Sequence, residues 1–184
     1  NDTFAIAYQI LDREGTPSGI FTHIVDLEGN ASNPKRIANP GCIEASMSSN
    51  STGAILTWLA PETQGYGIRV QHLDAHANPI GEPQVVTTDP AAWVGGAHVT
   101  TRPTDEYIIA WNEDLSGQGK DKIRIANFTS NGELQGNASW LSETISSGHH
   151  LVAASSAQPI STFGNNHVAI AFSGHGSGED GSSA

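Results

Sequence analysis

An all-β architecture of repeated units, each about four short antiparallel strands, is predicted by three observations. Strand-ending aromatics at Tyr8, Trp58, Trp111 and Phe172 recur 50, 53 and 61 residues apart, and the strands beginning at Ile20, Ile68 and Ile123 follow with spacings of 48 and 55. Polar turns rich in Gly, Asn and Asp punctuate the chain between short apolar runs. No segment sustains apolar residues at i, i+3, i+4 and i+7 with caps, so no helix is expected. A period near fifty with four strands per unit suits a β-propeller blade, in which each sheet packs face to face on the next around an axis. A β-sandwich is the alternative, since strands with regular turns serve it equally well.

The first unit opens at Thr3-Phe4-Ala5-Ile6-Ala7-Tyr8, passes a polar loop from Asp12 to Gly19, and continues through Ile20 to Val25 into the turn Asp26-Leu27-Glu28-Gly29-Asn30. Lys35 to Ala38 makes a third strand. The second unit enters at Glu44 to Met47, turns through Asn50 to Gly53, and runs Ala54-Ile55-Leu56-Thr57-Trp58. A loop closing on Gly65-Tyr66-Gly67 then leads to Ile68 through Asp74, a turn ending at Gly81, and Val85 to Thr87. The third repeats the order with Ala97 to Thr101, Tyr107 to Trp111, a loop from Asn112 to Lys122, Ile123 to Phe128, and the Asn131-Gly132 turn. The last has Leu151 to Ser155 or Gln158 to Ser161, then His167 to Phe172. The expected organisation is a partial blade over 1–42, blades over 43–96 and 97–150, a partial blade over 151–172, and a flexible Gly/Ser-rich tail over 173–184.

Composition narrows the function classes. Nineteen acids against eight bases give the 184 residues a formal charge of −11, which repels phosphate backbones and anionic membranes, so nucleic acid is not an expected partner. No apolar run approaches the roughly 18 residues of a membrane span and no signal peptide stands out, so a soluble chain without membrane insertion is expected. Cys42 is alone and cannot form an internal disulfide, which excludes a disulfide-stapled scaffold. No basic neighbour would lower its pKa, and it reads as a small core residue.

Over Gly67-Ile68-Arg69-Val70-Gln71-His72-Leu73-Asp74 and Asn78-Pro79-Ile80-Gly81-Glu82, the chain resembles a repeat of large secreted bacterial proteins, many of them adhesin-like. That repeat has an aromatic-ended strand, a Gly-rich acidic loop, then G-I-x-x-Q-x-x-D-x-x-G-x-x-x-G and a valine-bearing strand. The first unit keeps Gly19-Ile20 and Asp26-Leu27-Glu28-Gly29 but has His23 where Gln71 stands. The third has Lys122 before Ile123 and keeps Asn131-Gly132 and Gly136. The resemblance spans about residues 3–172 and implies secretion to the extracellular space or cell surface and a propeller-like scaffold. It implies no particular activity.

With strands named A to D outwards from the axis, the chain reads BCD, ABCD, ABCD, AB. Both ends supply strand B, so they do not complete one blade between them, and an oligomer or a longer parent chain is expected to complete the ring. The B–C and D–A loops gather on one face. The B–C loops carry Asp12 and Glu14, then Glu62 and Tyr66, then Glu113, Asp114 and Asp121; the D–A loops carry Cys42, Trp93, His149 and His150. An acid three or four residues beyond each strand-ending aromatic (Asp12, Glu62, Asp114) places a carboxylate at a similar spot in each blade. Calcium takes several hard oxygen ligands, so Asp12, Glu14, Glu113, Asp114 and Asp121 are the candidate Ca²⁺ ligands, against solvated loop acids on an acidic surface. Trp93, between Pro90 and two glycines, is the candidate for stacking on a sugar, with Tyr66, Glu62, Asp12 and Asp114 beside it. Tyr8, Trp58 and Trp111 read as core.

Zinc is not expected, because adjacent residues such as His149 and His150 face opposite ways in an extended segment. S-x-D-x-G-x-x-W boxes and a G-x-S-x-G elbow are absent. The expectation is an extracellular binding or adhesion module engaging carbohydrate or protein through one loop face. The alternatives are a propeller-type glycoside hydrolase using two loop carboxylates and a scaffold without its own ligand.

Overall fold

The computed structural model describes residues 3–63, 65–86, 93–114, 122–140, 149–152, 160–163, 167–170 and 173–176. These residues form antiparallel strands and turns, with no helix among them. The first sheet holds β1 (Thr3–Leu11), β2 (Pro17–Asp26) and β3 (Lys35–Ala38) in that order. The second runs β4 (Ile43–Ser49), β5 (Gly53–Pro61), β6 (Tyr66–Asp74), β7 (Pro79–Val86), and the third β8 (Trp93–Thr101), β9 (Tyr107–Asp114), β10 (Lys122–Phe128), β11 (Leu134–Trp140). Each four-stranded sheet is a meander whose first strand lies innermost. Beyond them β13 (Ile160–Phe163) pairs with β14 (His167–Ile170), and β12 (His149–Val152) with β15 (Ser173–Gly176).

Three apolar layers hold the sheets together, and they decide between the two architectures. Ala54, Leu56, Trp58 and Ala60 on one face of β5 bury against Ile20, Ala38 and Cys42 of the first unit. Ile55 and Leu59 on its other face bury against Val99, Ile109 and Trp111 of the third. Ile108, Ala110 and Ile123 meet Ile160, Val168 and Ile170 of the last. A two-sheet sandwich would leave each sheet one open face, whereas β5 is buried on both across seven consecutive residues. The fold is a succession of propeller-like blades.

The inner strands lock through side chains. Ser46 and Ser48, two apart on β4, take the amide hydrogens of Val99 and Thr101 on β8, at 3.2 and 3.1 Å. Thr57 Oγ1 donates to the Ala97 carbonyl at 3.4 Å. Turns on the face opposite the candidate loops are stitched likewise. Asp26 and Asp74 each accept from the backbone and side-chain nitrogens of Asn30 and Asn78, Lys35 donates to Asn78 of the next blade, and Gln84 to the Asn131 carbonyl. Asp105 accepts from the Ser51 amide at 2.7 Å.

The last unit departs from expectation. Of the two segments offered for its inner strand, the first overlaps β12 at Leu151 and Val152 and the second overlaps β13 at Ile160 and Ser161, while residues 153–159 lie outside the described ones. Ser173–Gly176, assigned in sequence to a flexible tail, is a strand paired with His149–Val152. Ladder hydrogen bonds come from the backbone, so a segment with little side chain to pack can still pair. Residues 177–184 lie outside the described residues.

Candidate ligand-binding face

Loop geometry at the B–C ends follows from turn chemistry. In the β1–β2 turn, Asp12 Oδ1 accepts the amide hydrogens of Glu14 and Thr16, at 2.9 and 2.8 Å, an Asx arrangement that Asp favours by its short side chain. Both Asp12 and Glu14 are exposed. In the β5–β6 loop the Glu62 amide donates to the Gly65 carbonyl at 3.0 Å, and the Glu62 carboxylate pairs with Arg69 on β6. Arg69 stands opposite Trp58 in the ladder. Gly67 lies beside this pair, where an added Cβ would press on the Glu62 side chain at 2.8 Å. Tyr66, opposite Pro61, is half-buried and packs on the layer between the second and third sheets.

At the third blade, Trp93 and Asp114 are ladder partners at the outer ends of β8 and β9. The backbone thus sets an aromatic and a carboxylate residue directly across from each other at the loop edge of the innermost strand pair. Their side chains, and Asp121, lie outside the described residues.

Glu113 requires a correction. The sequence puts it in the loop as a cation ligand, but it is a strand residue whose side chain is 0% exposed. It accepts from the Trp111 indole nitrogen at 3.0 Å and from Arg124 at 3.1 Å. A carboxylate taken out of water needs donors to replace the lost solvent, and Glu113 finds them within the fold. Among the described residues no group of three or more His, Cys, Asp or Glu side chains is gathered for a metal ion.

Two residues not singled out from sequence belong to this end of the fold. Glu44 lies in a β-bulge of β4 at φ 55°, a left-handed conformation uncommon outside glycine. Its amide donates to Gln9 Oε1 at 3.4 Å, and its carboxylate accepts the Gly96 amide at 2.7 Å, joining the loop ends of the two inner strands. Gly96 sits in the matching bulge of β8 at φ 58°. Arg69 and Arg124, each opposite a strand-ending Trp and each paired with a carboxylate, recur as Ile-Arg in the sequence. That dipeptide was the available signal. Cys42 is buried beside Trp58, and burial pushes its thiol pKa up, which suits the core role read from sequence.

No family model and no curated protein matches the chain. Among solved structures, the chain is similar to one described as a thermostable family-43 glycoside hydrolase, at 17% identity and a TM-score of 0.48. The match covers 74% of this chain and 52% of that one.

Proposed function

We propose that the chain is an extracellular binding module that engages carbohydrate through the B–C and D–A loop face. The observation that carries this reading is the register of Trp93 against Asp114. An aromatic ring to stack on a sugar and a carboxylate to accept from its hydroxyls are the two elements of a saccharide subsite, and the residues that carry them are ladder partners at the loop edge of the innermost strand pair. Tyr66 of the neighbouring blade packs on the layer that holds Val94 and Trp111.

Glycan-array binding of the purified chain, with and without a chelator, tests the reading. Binding that falls at least about tenfold on Trp93→Ala, as expected for removal of a stacked aromatic worth about 1.4 kcal/mol, supports it. The chelator arm reads out the calcium expectation, because a site built on Asp12 and Asp114 oxygens would lose affinity with the metal. No binding to any glycan, or binding indifferent to Trp93, overturns it. Turnover of a bound glycoside that vanishes on removing Asp12, Glu62 or Asp114 would replace binding by hydrolysis.

A further inference from the structure

The second and third sheets share one register in their outer halves. Val70, His72 and Leu73 of β6 stand opposite Gln84, Ile80 and Pro79 of β7, and Ile125, Asn127 and Phe128 of β10 stand opposite Ser139, Gln135 and Leu134 of β11. Each ladder skips once, at Gln71 in the one and at Ala126 in the other. Each outer strand carries a left-handed glycine in the resulting bulge, Gly81 at φ 71° and Gly136 at φ 76°. Gln71 closes its bulge, because its side-chain nitrogen lies within hydrogen-bonding distance of the His72, Ile80 and Gly81 carbonyls, at 3.0, 2.9 and 3.3 Å. Ala126 holds the same place in the third sheet and has no donor to offer.

The shorter side chain leaves a cavity of about 110 Å³, walled by Val85 and Val86 of the second sheet and by Trp111, Ala126, Phe128 and Leu134 of the third. Val85 is 64% exposed and Leu134 48%, so the cavity opens to solvent between the outer strands of the two blades. Gln84 bridges the same two strands, donating to the Asn131 carbonyl at 3.4 Å. Apolar walls beside a bulge whose carbonyls call for donors are the surroundings that the Gln71 carboxamide and its aliphatic stem occupy in the second blade. We infer that the cavity beside Ala126 binds the primary carboxamide of a ligand, its short aliphatic stem against Val86, Trp111 and Phe128 and its N–H groups donated to the Asn127, Gln135 and Gly136 carbonyls. Such a group comes as a free aliphatic amide or as the glutamine side chain of a peptide. The site is independent of the saccharide reading, since none of its walls is a residue proposed to hold sugar.

Titration of the isotope-labelled chain with propionamide, followed by the NMR resonances of its backbone amides, tests this against butanone, which has the same shape with a methyl in place of the amide nitrogen. Propionamide should give saturable shifts at Val86, Ala126 and Gly136, and butanone should bind at least about tenfold more weakly for want of a donor. Ala126→Gln should supply the carboxamide from the chain itself and abolish the response. Ala126→Leu, which fills the cavity with apolar atoms, is the second variant should the first fail to fold. N-acetylglutamine N-methylamide separates the two sources: tighter binding than propionamide assigns the site to a glutamine-bearing peptide, and equal or weaker binding to a free amide. No saturable shift with either amide overturns the inference. So does butanone binding as tightly as propionamide, or a response that survives filling at Ala126.

Discussion

Replacing Glu113 by alanine removes a carboxylate that serves the Trp111 indole and the Arg124 guanidinium at once. The buried Trp111 indole then loses its acceptor and Arg124 loses this carboxylate, and the loss should be about 3 kcal/mol of stability, near the lower end for breaking a buried pair because Arg124 keeps 22% exposure. Urea unfolding of Glu113→Ala against the unsubstituted chain measures it. The equivalent Glu62–Arg69 pair lies nearer the surface, with Glu62 43% exposed, and Glu62→Ala should cost about 1 kcal/mol or less. The acid count near each strand-ending aromatic was legible in the sequence. Which acid turns inwards was not, because a side chain two residues beyond the Trp shares its face while loop acids further on are free of the pleat. His72 and His98 add a pH dependence. Burial lowers both pKa values below the 6.5 of an exposed imidazole, so below that pH the unfolded chain binds protons that the folded chain refuses. Stability should fall as pH drops below 6.5, before Asp26, Asp74 and Asp105 titrate, since hydrogen bonds to their neighbours hold these below 3.8. His72→Phe, which keeps a ring against Tyr107, should lessen the loss in thermal melts between pH 6.5 and about 5.

Among the elements, B and C strands were the most legible, because their apolar runs end in large aromatics and pair across a short loop. The inner strands carry Ser46, Ser48, Gly95 and Gly96 where apolar residues would mark a core. Their signal is weak because they approach one another by hydroxyl-to-amide bonds instead of apolar packing. Ser46→Ala would leave the Val99 amide without its acceptor and should cost about 1–3 kcal/mol in denaturant unfolding. The resemblance motif also gains a physical reading here. Gln71 is buried and donates to the Ile80 carbonyl at 2.9 Å, closing the β6–β7 irregularity, and Asp74 closes the turn that follows. Gly53→Ala should destabilise by more than about 2 kcal/mol, since a Cβ there would run into the Leu73 carbonyl oxygen. The exposed β7 carries Pro79, Glu82 and Pro83, residues that blunt a sheet edge against further pairing.

Across the whole molecule, the period of about fifty made the stacking of blades readable before any single motif was understood. The candidate face was readable only as a set of loops. Its acids recur by sequence position, but the fold gives them separate duties: turn closure for Asp12, an ion pair for Glu62, burial for Glu113 and ladder pairing with Trp93 for Asp114. The central claim is that ligand binds on the B–C and D–A face and not on the turn face opposite. Hydrogen exchange of backbone amides, with and without a glycan that binds on the array, tests it most directly. Protection should appear at residues 12–16, 62–67 and 93–96 and leave 26–30 and 74–78 unchanged. Protection confined to the turns at 26–30 and 74–78 would contradict it.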